Sequence, residues 1–357
     1  MNSRRAIIAA CLLLLSVSAA FAQAPGGNSE AFSPGPVRGP ILGYVFDQEL
    51  GGLRPILGIP GSSVLGGLLD LGVTLASVEV SPGQDYALAV EARSGEILHI
   101  DLEAGRALAL TPGGAAPRAD RILISPTGSS AALYYRDPAS VQILAGLPRT
   151  ASPSRVIDLS GLPRLVTAMA ISDDGEALLI GVSEGPSGSL FVISPNSGPR
   201  FLGRVGTASA IRFLDHTRDA LISDYGNHEI VLLREVSGGA ERILLAGARD
   251  GIWRPVAVAG APGSRGIFAL HGEGGTIAVV VPEAGTISSL RCDCRPTGLD
   301  RLKGDSVFRL TDYSGAPLFL LDGGSDEPRI VFVPPDIGSA PALSNTPIRA
   351  PRRRSGP

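Results

Sequence analysis

The sequence predicts an all-β chain folded as a β-propeller of four-stranded antiparallel blades, seven of them, with six as the alternative count. Three observations predict it. The 357 residues hold 46 glycines and 29 prolines among many Val, Ile and Leu, with few aromatics and no long run at helical period. A polar turn followed by a short apolar strand recurs along the chain. The recurrence keeps a period of about 44 residues, which is the spacing of a repeat architecture.

Three copies of the turn are close to one another. Ser81-Pro82-Gly83 precedes Tyr86 to Val90, Ser125-Pro126-Thr127-Gly128 precedes Ala131 to Tyr135, and Ser172-Asp173-Asp174-Gly175 precedes Ala177 to Val182. Three looser copies follow: Asp215 to Arg218 before Ala220 to Ser223, Pro262-Gly263-Ser264 before Gly266 to Leu270, and Lys303-Gly304-Asp305 before Ser306 to Leu310. Aligned on Leu88, Leu133, Leu178, Leu221, Ile267 and Val307, they are spaced 45, 45, 43, 46 and 40 residues apart.

Each period contains further strands. Glu96 to Asp101 is followed by Arg106 to Leu110, Ser189 to Ser194 by Arg200 to Gly203, and Glu229 to Arg234 by Glu241 to Leu245, each pair across a turn. Val78 to Ser81, Ala168 to Ser172 and Val256 to Ala259 are first strands, expected to face a central channel with small residues. Four short strands per unit leave both sheet faces apolar, and stacking units into a ring covers them. Ile41 to Asp47 and Leu53 to Gly58 match the later strands of a blade. The span Ile41 to Pro334 holds about seven periods, so the expectation is seven blades, one completed from both chain ends so that no edge stays open.

The Ser81-Pro82-Gly83 and Ser172-Asp173-Asp174-Gly175 turns resemble those of bacterial WD40-like, YVTN-type and TolB-type propeller repeats, and Leu221 to Ile230 (LISDYGNHEI) resembles one NHL repeat. The Trp-Asp dipeptide of true WD40 repeats is missing. The resemblance implies the fold; such families range from enzymes to scaffolds, so it does not carry a function.

The chain begins with Arg4 and Arg5, an apolar stretch from Ala6 to Val17 and the small-x-small site Ala20-Phe21-Ala22, the pattern of a secretory signal peptide cleaved after Ala22. The expected domains are therefore a signal peptide at 1–22, a flexible linker at 23–40, the propeller at 41–334 and a disordered tail at 335–357. Cys11 precedes the leucine run, so a lipid anchor is not expected. No later apolar run reaches the roughly 20 residues of a membrane-spanning helix. The expected product is exported, periplasmic or extracellular, and monomeric. Loss of the two arginines takes the formal charge from −3 to about −5, which argues against nucleic acid.

Cys292-Asp293-Cys294 is a candidate disulfide in an oxidising compartment. Extended strand holds residues i and i+2 nearly 7 Å apart, the upper limit for such a bond, so pairing requires a bend. His99, His216, His228 and His271 show no metal spacing, although His216 and His228 fall in one unit and could share a face. No nucleophile elbow, Walker loop, dinucleotide fingerprint or EF-hand is found, and neither a metal nor a cofactor is expected. Trp253 and Arg254 open one unit, offering an aromatic platform, although packing between blades is the plainer reading for the tryptophan. Asp224, Tyr225 and Asn227 form a turn that is first structural and second a ligand contact.

The functional expectation is a non-catalytic binding or scaffold propeller that recognises a protein, peptide or glycan through loops on one face. The alternative is a propeller enzyme, a lactonase-like hydrolase or a quinone-dependent dehydrogenase, with a metal at the channel. Three or more carboxylate, amide or imidazole groups converging on the axis would favour the alternative; an axis of Ala, Val, Ser and Gly would not.

Overall fold

The computed structural model describes residues 39–335 apart from 111–113, 164, 186, 262–265, 305, 325 and 326. The expected signal peptide, nearly all of the linker and nearly all of the tail lie outside the described residues. Seven antiparallel sheets follow one another along the chain. Blade 1 comprises β1 (Ile41–Asp47), β2 (Gly52–Ile59) and β3 (Ser62–Leu65). Blade 2 comprises β4 (Leu75–Val80), β5 (Tyr86–Glu91), β6 (Ile97–Asp101) and β7 (Arg106–Ala109). Blade 3 holds β8 (Arg121–Ile124), β9 (Ser130–Arg136), β10 (Ala139–Ala145) and β11 (Ser152–Asp158). In blade 4 the strands are β12 (Val166–Ile171), β13 (Leu178–Glu184), β14 (Ser187–Ile193) and β15 (Arg200–Val205). Blade 5 is β16 (Ala208–Phe213), β17 (Ala220–Asp224), β18 (Glu229–Arg234) and β19 (Glu241–Ala246). Blade 6 is β20 (Pro255–Gly260), β21 (Ile267–His271), β22 (Thr276–Val281) and β23 (Thr286–Arg291). Blade 7 closes the series with β24 (Asp300–Arg301), β25 (Val307–Arg309), β26 (Leu318–Asp322) and β27 (Arg329–Val333).

The six residues that set the period, from Leu88 to Val307, all lie on the second strand of blades 2 to 7. That strand is buried on both faces; β5, β9, β13 and β17 each carry five or more consecutive buried residues except where the last position of β9 and β13 turns outward. Fourth strands such as β7 and β23 are largely exposed, because they form the rim.

The core is distributed among seven seams, one between each pair of neighbouring blades. Leu42, Val45 and Ile56 of blade 1 meet Leu302, Leu318 and Val333 of blade 7, and Tyr44 and Leu53 meet Ala87, Leu98 and Ile100 of blade 2. The remaining seams join blades 2 and 3, 3 and 4, 4 and 5, 5 and 6, and 6 and 7. The ring is closed by packing.

Conserving hydrogen bonds at the turns explains the repeated serine. Ser81, Ser125 and Ser172 are buried, and each Oγ accepts a backbone N–H where the following strand starts: from Tyr86 at 3.3 Å, Ser130 at 3.1 Å and, one residue before β13, Ala177 at 2.9 Å. Gly128 and Gly175 take φ of 78° and 70°, the left-handed region that favours glycine. In the first copy that conformation falls to Gln84, at φ 57°, instead of Gly83.

Gln84 is displaced for a reason visible at blade 1. The β1–β2 turn accepts the Leu75 N–H at the Gly51 carbonyl, as the β5–β6 turn accepts Arg118 N–H at Gly95, so β1 takes the second-strand position. This agrees with its reading as a later strand. An innermost strand for blade 1 is not among the described residues, and any contribution from the chain ends to that sheet also lies outside them. The inner edge of β1 is met by other groups. Gln84 Oε1 accepts Tyr44 N–H at 2.9 Å while its Nε2 donates to the Arg301 carbonyl at 2.8 Å. Lys303 N–H donates to the Leu42 carbonyl at 2.8 Å, and Tyr313 forms a parallel bridge with Asp47.

The turn serines provide a direct check. Ser125→Ala and Ser172→Ala each strand a buried N–H and are expected to lower unfolding free energy by about 1–2 kcal/mol in chemical denaturation. Ser160→Ala, on an exposed turn, should stay within about 0.5 kcal/mol; equal effects at all three sites would contradict the capping role.

Candidate functional site

Two places bring chemistry together. The first is the axis, where first-strand residues of blades 2 to 7, with Tyr44 and Phe46 of β1, surround a cavity of about 150 Å³. One arc of its wall is apolar, from Tyr44 and Phe46 through Val78, Val80, Leu123, Ile124, Met169 and Ile171 to Phe213. Charged groups also line it: Glu79 of β4, between Val78 and Val80, Arg212 of β16, Asp215, Asp300 and Arg301 of β24, and Arg309 of β25. The expected lining of small residues is therefore present only in part, at positions such as Ala170, Ala259 and Gly260. First strands alternate sides, and on blades 2, 5 and 7 a charged residue takes an inward position.

Most of these charges are paired. Arg301 bonds Asp215 at 2.7 Å, linking blade 7 to blade 5 across the channel. Burial works against the charge on Arg309, and its contacts with Asp300 and Asp312 more than restore it. Arg212 reaches Asp300 only at 3.9 Å, and both residues also line a second cavity, of about 220 Å³, among blades 5, 6 and 7. Burial raises the Glu79 carboxyl to about 7; Asp300 adds to the rise, while Arg212 and Arg309 oppose it.

The second place is the face opposite the serine turns. Here the β17–β18 turn, the approach to β20 and the β21–β22 turn assemble Tyr225, His228, Trp253, Arg254 and Glu273. Trp253 stacks on His228 with ring centroids 4.2 Å apart and planes 14° from parallel. The Arg254 guanidinium lies 5.6 Å from the Tyr225 ring and 5.7 Å from the Trp253 ring, and it pairs with Glu273 at 3.0 Å. His228 Nδ1 accepts the Arg254 N–H at 3.1 Å, which ties the two loops together. Trp253 is 51 % exposed, so the plainer reading of it as filler between blades gives way to a surface platform. The stack holds its ring outside the seam.

Asp224 and Asn227 underlie this patch as turn residues. Asp224 is fully buried and accepts N–H groups from Gly206 at 2.9 Å, Thr207 at 3.0 Å and Asn227 at 3.1 Å, with Asn227 Nδ2 adding a fourth bond at 2.8 Å. A Cβ on Gly226 would lie 2.8 Å from the Gly206 backbone, so the two turns touch through glycine.

The histidines do not come together. His216 lies on a turn between a first and second strand and His228 on one between a second and third, which puts them on opposite faces and corrects the expectation of a shared face. His99 stacks on Tyr86 and His271 ends β21; burial lowers both imidazoles, which favours their neutral forms. Among the described residues, no group of three or more His, Cys, Asp or Glu side chains is arranged to hold a metal.

Cys292 and Cys294 follow β23 and are bonded, with Cα atoms 5.0 Å apart. The bend leans on Gly275, where an added Cβ would meet the Cys292 carbonyl at 2.5 Å and the Cys294 carbonyl at 2.9 Å.

No family model and no curated relative matches the sequence. Solved structures do share the fold. A functionally unknown protein from Desulfotomaculum acetoxidans DSM 771 has TM-score 0.53 at 14 % identity, covering 83 % of this chain and 100 % of its own. The β-propeller domain of Cps50 (Swd1) from Myceliophteria thermophila has TM-score 0.50 at 14 % identity, covering 77 % and 94 %. With the seven blades, these place the chain in the β-propeller fold; at such identity they carry nothing about what it binds.

Two measurements follow from the site. A carboxyl raised from 4.5 to about 7 in the fold binds more protons there than in the unfolded chain. Stability is then fully present below pH 4.5 and declines as pH rises through 7. Glu79→Gln should flatten this decline and exceed the parent by about 1–3 kcal/mol at pH 8, with no gain at pH 4; parallel pH–stability curves would contradict it. For the cysteines, peptide mapping of unreduced, denatured protein should find residues 292 and 294 unalkylated until reductant is added. Alkylation without reductant would show two thiols.

Proposed function

We propose that this chain is an exported, non-catalytic binding propeller that docks a protein or peptide through the Tyr225–His228–Trp253–Arg254–Glu273 face. The observation that carries the reading is Trp253, half exposed yet held by the stack on His228. Aromatic and arginine side chains dominate binding energy at protein interfaces, and they do so most when fixed beforehand. Glu273 and Arg254 offer both signs of charge at the rim of the same surface, which suits a polypeptide with polar groups around an apolar anchor. The seven-bladed ring supplies a rigid base for these loops.

Export rests on the leader at residues 1–22. It predicts that expression in a bacterial host yields a periplasmic or secreted form beginning at Gln23.

The enzyme alternative draws support from one observation, the raised Glu79 carboxyl in an axial cavity beside Asp300. A carboxyl near 7 is suited to general acid–base work. Its metal-dependent versions find no ligand cluster among the described residues.

A photo-cross-linking residue at position 253, compared with one at His216 on the opposite face, separates the readings in cells. A discrete adduct from position 253 that Arg254→Ala weakens, with none from 216, is the expected outcome. Adducts of equal yield from both faces, or from neither, would count against docking through this face. Because Trp253 is the chain's single tryptophan, its fluorescence should shift when the cross-linked partner is added back purified.

A further inference from the structure

The axial cavity has two opposite charges left over. Asp215 is used by Arg301, and Asp300 and Asp312 are used by Arg309. Among the described residues, the Glu79 carboxylate has no hydrogen bond and no ion pair, although Arg212 and Arg309 are near enough to influence it. Arg212 has only the 3.9 Å contact with Asp300, and its side chain is 45 % exposed to the channel. Glu79 and Arg212 line the same space, whose remaining wall is largely aliphatic and aromatic.

The chemistry of a guest follows from that pairing. A simple cation would satisfy Glu79 but would face Arg212 and Arg309. A simple anion would satisfy Arg212 but would face Glu79 and Asp300. A molecule carrying both charges meets each without either conflict, through charge-assisted hydrogen bonds at both ends. The apolar arc, from Phe46 to Phe213, calls for a hydrocarbon arm. A space of about 150 Å³ limits the guest to a small molecule.

We propose that the axial cavity binds a free aliphatic α-amino acid, with its ammonium on Glu79, its carboxylate on Arg212 and its side chain against Val78, Leu123, Met169 and Phe213. This site is separate from the Trp253 face, so it stands or falls independently of partner docking.

Isothermal titration of the full chain with three probes tests it: L-leucine, 3-methylbutylamine, which lacks the carboxylate, and 4-methylpentanoate, which lacks the ammonium. Saturable binding of L-leucine is expected, with each one-ended analogue at least 10-fold weaker. Glu79→Gln and Arg212→Gln should each weaken L-leucine at least 10-fold while Ser160→Ala, on an exposed turn, leaves it unchanged. Equal binding of the amine would make this a cation site, and equal binding of the acid an anion site; either overturns the proposal. So does the absence of saturable heat with L-leucine to 10 mM. The analogue comparison uses the unaltered chain, so it decides the matter even where a variant fails to fold.

Discussion

Every feature of this molecule depends on burial between blades, because no blade has a core of its own. A second strand such as β13 is apolar on both faces, and a sheet with two apolar faces is covered only by a neighbour on each side. Burying one aliphatic side chain contributes about 1.5–3 kcal/mol, and each of the seven seams contains several. Seven seams around seven blades leave no terminal blade exposed. The same constraint explains the behaviour of blade 1. With no innermost strand described for it, its sheet still keeps its place because Leu42, Val45 and Tyr44 are packed against blades 7 and 2. Gln84, Lys303 and Tyr313 then answer polar groups along the edge that packing leaves behind.

Stacking also dictates where chemistry can gather. The first strands of blades 2 to 7 come together at the axis, so residues far apart in sequence become neighbours there. Glu79 and Asp300 come from blades 2 and 7, yet Asp300 contributes to the raised Glu79 carboxyl. The paired arginines prevent the axis from becoming a simple acidic pore. They also leave it uneven, with charge confined to blades 2, 5 and 7 and hydrocarbon elsewhere.

The strands were legible from sequence because a turn has local chemistry. A buried serine opens the turn before β5, β9 and β13 for reasons contained within six residues, looser turns precede the other second strands, and the spacing of all six gives the blade period directly. β18 coincides with Glu229 to Arg234 as read, and β5, β9 and β17 differ from their readings by a residue or two. The axial charges were not legible in the same way. Glu79, Arg212 and Asp300 share no motif or spacing, and what joins them is the position of each on an inner strand. A sign existed at Glu79 and Arg212, each the single charged residue of its first strand. Trp253 shows a different limit: its residue type suits packing and display equally, and the choice is made by His228, which arrives from the preceding blade.

That choice is enforced by the backbone. His228 and Arg254 both adopt left-handed conformations, with φ of 59° and 44°, which for residues other than glycine cost on the order of 1 kcal/mol each. The hydrogen bond from Arg254 N–H to His228 Nδ1 joins the two strained positions, and the Trp253 stack, the Tyr225 contact and the Glu273 pair add about 0.5–1.5 kcal/mol apiece at exposed sites. Strain and attraction are therefore of similar size, and the contacts hold only if they form together. Within this set the exposed indole face is the part not consumed by internal contacts, so Trp253 stands at the surface and does not fill a seam.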